Sequence, residues 1–171
     1  MGWKMDWRKF YSYLNRTHNV TKAFMFIGYM AENEAMYEQL HEIGYLIVLK
    51  PTVDVKPTPE NSTNTEPLAP DGTAPEPHKV GVKGNIDADL VLFAMKELAN
   101  YDKAIIVSGD GDFFGLVEYL AAQHKLASVM TPNWRYSSLL KPFESYILRI
   151  DQMRRQLAYH DHPRRNQSNQ N

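Results

Sequence analysis

The chain has 171 residues, 43% of them hydrophobic, with 19 basic and 20 acidic side chains and a formal net charge of −1. That is enough apolar material for one buried core, without the charge excess of a dedicated nucleic-acid binder. The absence of cysteine excludes disulfides, thiolate metal sites and thiol catalysis, and the lack of a membrane-length apolar run or a signal-type N-terminus predicts a soluble, cytoplasmic protein with no membrane partner.

Trp7, Phe10, Tyr11 and Leu14 recur at helical spacing, with Asp6 placed to cap them. Lys22–Tyr29 reads as a buried strand, Asn33–Ile43 as a helix stopped by Gly44, and Tyr45–Leu49 as a second apolar strand. Pro51 to His78 then holds seven of the ten prolines and almost no large apolar side chain. Such a stretch cannot bury enough surface to offset its ordering entropy, so a disordered insertion is expected at about 51–80, either tolerated or partner-binding. A helix follows over Ile86–Leu98 and a strand over Lys103–Val107. Phe113, Leu116, Val117 and Leu120 form another helical stripe, and Leu126–Met130 a strand. Ser137–Lys141 reads as a short helix, Tyr146–Ile150 as a strand and Gln152–Tyr159 as a final helix. Residues 159–171 form a polar tail, expected to be disordered, whose arginines could touch RNA or simply be solvated.

Strands separated by helices predict an α/β fold, a Rossmann-like parallel sheet with helices on both faces. The chain opens directly on a helix, so the first strand expected of a doubly wound sheet is missing. Within the expected domain, 1–158, and at its C-terminal side two segments differ in charge: the Pro51–Val80 insertion carries five acids against two lysines, and Arg154–Asn171 four arginines against one acid.

Sites in open α/β sheets lie beyond the carboxyl ends of the strands. There the chain reads Ser108-Gly109-Asp110-Gly111-Asp112-Phe113. The glycines permit a tight turn and close approach by a ligand. Crowded carboxylates at this edge suit Mg²⁺ or Mn²⁺; Asp112 could instead cap the next helix. A second acidic group, Lys83-Gly84-Asn85-Ile86-Asp87-Ala88-Asp89, opens the Ile86–Leu98 helix. Asp87 and Asp89 both suit a helix N-terminus, but two positions apart they point to different faces. Asp87 shares a face with Leu90, Val91 and Ala94 and is the better candidate for the inner side. Lys50, Lys79, Lys83 and Arg135 could meet phosphate. Trp134-Arg135-Tyr136 could stack single-stranded bases, or be a loop with partly buried aromatics. Ser137 and Ser138 suit a helix cap. None of the six histidines shows metal-ligand spacing.

Lys83-Gly84-Asn85-Ile86-Asp87 followed by Ser108-Gly109-Asp110-Gly111-Asp112-Phe113 resembles the NYN domain of the LabA-like, PIN-like ribonuclease superfamily. The resemblance extends through Gly2-Trp3-Lys4 and Phe26-Ile27-Gly28-Tyr29 to Tyr136-Ser137-Ser138-Leu139-Leu140. It implies a PIN-like sheet and a carboxylate pocket holding Mg²⁺ or Mn²⁺ for RNA cleavage, with Asp87, Asp110 and Asp112 as catalytic and metal residues. Lys83, Ser108, Trp134, Arg135 and Tyr136 would then contact RNA, single-stranded by the stacking argument. The family also begins with a hydrophobic strand ending in an Asp-Gly-x-Asn type motif, and Met1-Gly2-Trp3 falls where that motif would have ended. Phe93 stands where many relatives would carry an acid. A sheet gap with exposed apolar edges near Phe24, Phe26 and Ile105 is therefore expected, with poor solubility, a homo-oligomer or a partner strand filling it. The leading reading is a metal-dependent endoribonuclease, inactive if the missing ligand is essential. The alternatives are a non-catalytic RNA-binding or protein-interaction module and a Mg²⁺-dependent hydrolase of small phosphate esters.

Overall fold

Asp6 starts the first helix, as its spacing predicts: its carboxylate accepts hydrogen bonds from the Arg8 and Lys9 amides at 3.0 and 3.1 Å. Two N–H groups left over at the helix end are thereby satisfied. In this computed structural model, which describes residues 2–50 and 86–160, the helices are α1 (Trp7–His18), α2 (Glu34–Ile43), α3 (Ile86–Lys96), α4 (Phe114–Ala122) and α5 (Arg154–Leu157). The strands are β1 (Phe24–Gly28), β2 (Leu46–Lys50), β3 (Ala104–Ile106), β4 (Leu126–Thr131) and β5 (Ile147–Arg149). Most of the expected insertion and tail lies outside the described residues. Tyr159, counted with the tail, is tied back: its amide donates to the Lys4 carbonyl at 2.9 Å.

Every ladder between these strands is parallel, but the strands form two sheets. β1 pairs with β2 from Phe24 opposite Leu46 to Gly28 opposite Lys50. β4 lies between β3 and β5 in a separate three-stranded sheet. Among the described residues no ladder joins one sheet to the other.

Two helices hold the sheets together. Phe10 and Leu14 of α1 are buried with Met130 of β4, Ile150 and Leu157, and Ile105 of β3 packs against that cluster. One residue further round α1, Tyr11 packs with Leu40, Tyr45, Met25 and Ile27 of the two-stranded half. Successive strand residues point to opposite faces, so Ile106 and Phe24 turn the other way, towards α3. There Leu90, Val91 and Ala94 pack on the cluster of Ile106, Leu116, Val117 and Leu120, while the Phe93 ring sits 4.6 Å from Phe24 and 5.7 Å from Phe26. The position where an acid was expected is thus an aromatic bridge to β1. Of the three apolar residues expected at the gap, Phe24 is exposed, whereas Phe26 and Ile105 are half-buried by these helices.

Two expected elements differ in form. The short helix expected at Ser137–Lys141 is a 3-10 segment over Ser138–Tyr146, kinked at Phe143 beside Pro142; proline removes a donor that a regular helix would use. The final helix is also shorter than Gln152–Tyr159, because Ala158 leaves helical geometry to form a bridge with Met5.

Candidate functional site

β3 ends at Ile106 and delivers Ser108 to Asp112 to its carboxyl edge. Side chains then shape the turn step by step. The Ser108 hydroxyl accepts from the Asp110 amide at 3.1 Å, and the Asp110 carboxylate accepts from the Asp112 amide at 3.1 Å. Asp110 therefore caps the 3-10 turn Gly111–Phe113 that leads into α4. The capping role considered for Asp112 falls to Asp110 instead; α4 itself starts at Phe113 without a side-chain cap, and the exposed Asp112 carboxylate is not engaged in capping.

β4 brings a second loop to the same edge. The Asn133 side chain accepts from the Arg135 amide at 2.8 Å, turning the chain back. The Ser137 amide then donates to the Gly109 carbonyl at 2.9 Å, and the Ser137 hydroxyl caps the following segment at the Leu139 amide, 3.3 Å away. This interlock explains the two glycines. Neither Gly109 nor Gly111 has a positive φ, so a left-handed turn is not their reason. A Cβ on Gly109 would lie 3.2 Å from Tyr136 Cβ, and one on Gly111 only 2.5 Å from Ser137 Oγ. The close approach they permit includes that of the protein's own second loop.

Between the two loops lies an open groove of about 630 Å³, lined by Ser108, Gly109, Asp110, Gly111, Asp112, Pro132, Asn133, Arg135, Ser137 and Leu139. Two carboxylates, a guanidinium and two hydroxyls thus share one cavity. Pro132 and Asn133 are not among the residues expected at the site, and Leu139 is known from the sequence only as part of the Tyr136–Leu140 segment that carries the family resemblance. Asn133 is legible as an Asx turn after proline.

Asp87 lies in the first turn of α3 and is not among the groove's lining residues. Asp89 forms an ion pair with Lys50 of β2 at 2.8 Å, which gives it a structural partner. Among the described residues, no group of three acids or histidines is arranged to hold a metal ion. Lys79 and Lys83 lie outside the described residues. Trp134 is 63% exposed, with the Arg135 guanidinium 5.1 Å from its ring centre. Tyr136 is half-buried and packs on the core of the three-stranded half.

An NYN domain sequence model matches residues 1–147. The chain belongs to the NYN domain family. NYN domains have a PIN-like nuclease fold, in keeping with the parallel strands and flanking helices seen here. The solved structures similar to this NYN chain include a protein of unknown function from Vibrio parahaemolyticus, 22% identical, with a TM-score of 0.59 over 87% of this chain and 80% of that one. That likeness concerns the fold. No curated protein matches the chain. No helix among the described residues is long and apolar enough to cross a membrane.

Proposed function

We propose that this NYN domain is a metal-dependent ribonuclease whose working groove lies between the Ser108–Asp112 turn and the Pro132–Leu139 loop. The observation that carries the reading is the convergence of Asp110, Asp112 and Arg135 on one open groove at the carboxyl edge of the β3–β4–β5 sheet.

The donor set fits a small hard cation. Mg²⁺ is commonly bound by one or two carboxylates, with water and substrate phosphate completing its shell; Asp110 and Asp112 are such donors, and Asp87 remains a candidate from the neighbouring helix. The cation would supply charge neutralisation at the phosphate and an activated water. The chain's own part is positioning. Asp110 is held by its hydrogen bond to the Asp112 amide, so its carboxylate is oriented before anything binds. The Ser137–Gly109 hydrogen bond fixes the opposite wall. Arg135, on that wall, offers a guanidinium to a phosphate oxygen. No covalent nucleophile is needed.

The test is cleavage of a labelled RNA by the purified chain with Mg²⁺ or Mn²⁺, repeated with chelator and with Asp110→Asn. The amide keeps the capping oxygen while removing the charge. Cleavage that requires metal and is lost in the variant is expected. Turnover unaffected by both would overturn the reading; saturable RNA binding insensitive to chelator, with no turnover, would assign the fold to a non-catalytic module.

A further inference from the structure

We propose that Trp134, with Arg135 held against its ring, is a stacking platform for one unpaired base, so that the groove takes single-stranded rather than duplex RNA. This rests on reading the groove as a nucleic-acid site.

Three observations converge on Trp134. Its indole is 63% exposed, the most exposed of the large apolar side chains described. An aromatic surface of this size is normally buried, because leaving it in water forgoes a large hydrophobic gain. Its loop is not loose, for it is braced by the Asn133 turn at Arg135 and by the Ser137 amide on Gly109. The exposed ring is therefore presented by a fixed support next to the groove that Asn133 and Arg135 line.

The second observation concerns Arg135. It shares the groove with Asp110 and Asp112, yet among the described residues no carboxylate lies within ion-pair distance of it. Its guanidinium rests over the Trp134 ring instead, 5.1 Å from the centre. A cation over one face of the ring is attracted to its π system and leaves the other face for a flat partner, while its N–H groups stay available to an anion. Base and phosphate are the two parts of a nucleotide, and the pair offers one group to each.

The third observation is the division between the two aromatics of the loop. Tyr136 packs inward on the core of the three-stranded half, with its Cβ 3.2 Å from where a Cβ on Gly109 would lie, which leaves a single platform in this loop. In a duplex each base already stacks on its neighbours and its faces are closed; an unpaired base can swing out onto an aromatic side chain. The Trp134–Arg135 pair thus selects by strandedness and not by sequence, since every base has a face to stack.

Binding of a labelled single-stranded RNA and of the same sequence as a duplex would be measured by fluorescence anisotropy in Mg²⁺, with gel controls for degradation. The wild type, Trp134→Ala and Trp134→Phe would be compared. Stacking predicts that Trp134→Ala weakens single-strand binding by about tenfold, that Trp134→Phe restores most of it, and that duplex binding is the same in all three. Trp134 is exposed and belongs to none of the buried clusters among the described residues, so the melting temperatures should coincide. Unchanged single-strand affinity in Trp134→Ala, or equal losses on both RNAs, would overturn the proposal, as would a wild type that binds no RNA. The two readings fail separately. Asp110-dependent cleavage with no effect of Trp134→Ala removes the platform alone. Phe-rescued single-strand binding with no turnover in any metal removes the nuclease alone.

Discussion

The two sheets differ in how completely they are buried. In the three-stranded half, Val117, Leu120, Met130 and Thr131 have no exposed surface, and Val129 and Leu140 have 1% each. In the two-stranded half no strand residue is fully buried, and Phe24, Leu46 and Leu49 are 36–40% exposed. The candidate groove is built wholly from loops of the well-buried half. Precision at a site depends on side chains locked by packing behind them. The β3–β4–β5 half supplies that backing, and the β1–β2 half is joined to it through α1 and α3, with no ladder between the two among the described residues.

That contrast can be broken at several points. The largest effect is expected at the groove. Asp110→Asn should reduce metal-dependent cleavage on the order of a hundredfold or more, the scale seen when one preorganised electrostatic group is removed, with little change in melting. An equal loss in a charge-neutral variant of the other half, such as Glu38→Gln, would show that the groove is not the site.

Core truncations come next. Leu120→Ala should cost about 2–5 kcal/mol, because Leu120 is 0% exposed and its removal leaves a cavity. Leu46→Ala, at a residue 40% exposed, should change stability by about 0.5 kcal/mol or less. Chemical denaturation of both variants measures the contrast, and similar losses would erase it. Gly111→Ala should fall between, at about 1–3 kcal/mol, because the new methyl must displace the Ser137 hydroxyl 2.5 Å away. It should also weaken RNA binding if the two loops act as a unit.

The smallest effect concerns Arg149 and Asp151 at the end of β5. The guanidinium donates to both carboxylate oxygens, at 3.1 and 2.7 Å. This hydrogen bonding holds the Asp151 carboxyl below its ordinary value and raises Arg149. A carboxyl depressed in the folded state contributes stability that is present above its ordinary value and is lost as pH falls through the lowered one. Asp151→Asn should therefore lower the melting temperature slightly at neutral pH, and the difference should vanish in strong acid. A difference that grows on acidification would have the wrong sign for this ion pair.

Much of this was legible because it rests on local pattern. The α1 stripe, its Asp6 cap and the apolar strands follow from spacing alone. The site was legible in composition but not in detail. Ser108 to Asp112 lie where expected, yet sequence could not say that Asp110 caps the turn or that both glycines make room for Tyr136 and Ser137. Those facts depend on a loop from beyond β4 folding back, a non-local contact with no periodic signature. For the same reason Phe93, out of place as a missing acid, makes sense only beside Phe24 and Phe26.

We predict that the groove belongs to a rigid half and does not depend on the other half for its shape. Hydrogen exchange on the full chain tests this most directly. Amides of β4 and α4, with the Ser137 amide bonded to Gly109, should exchange slowest, and those of β1 and β2 should exchange much faster through openings that leave the groove closed. Equal protection of β1–β2 and β4, or loss of protection at Ser137 together with β1, would contradict it.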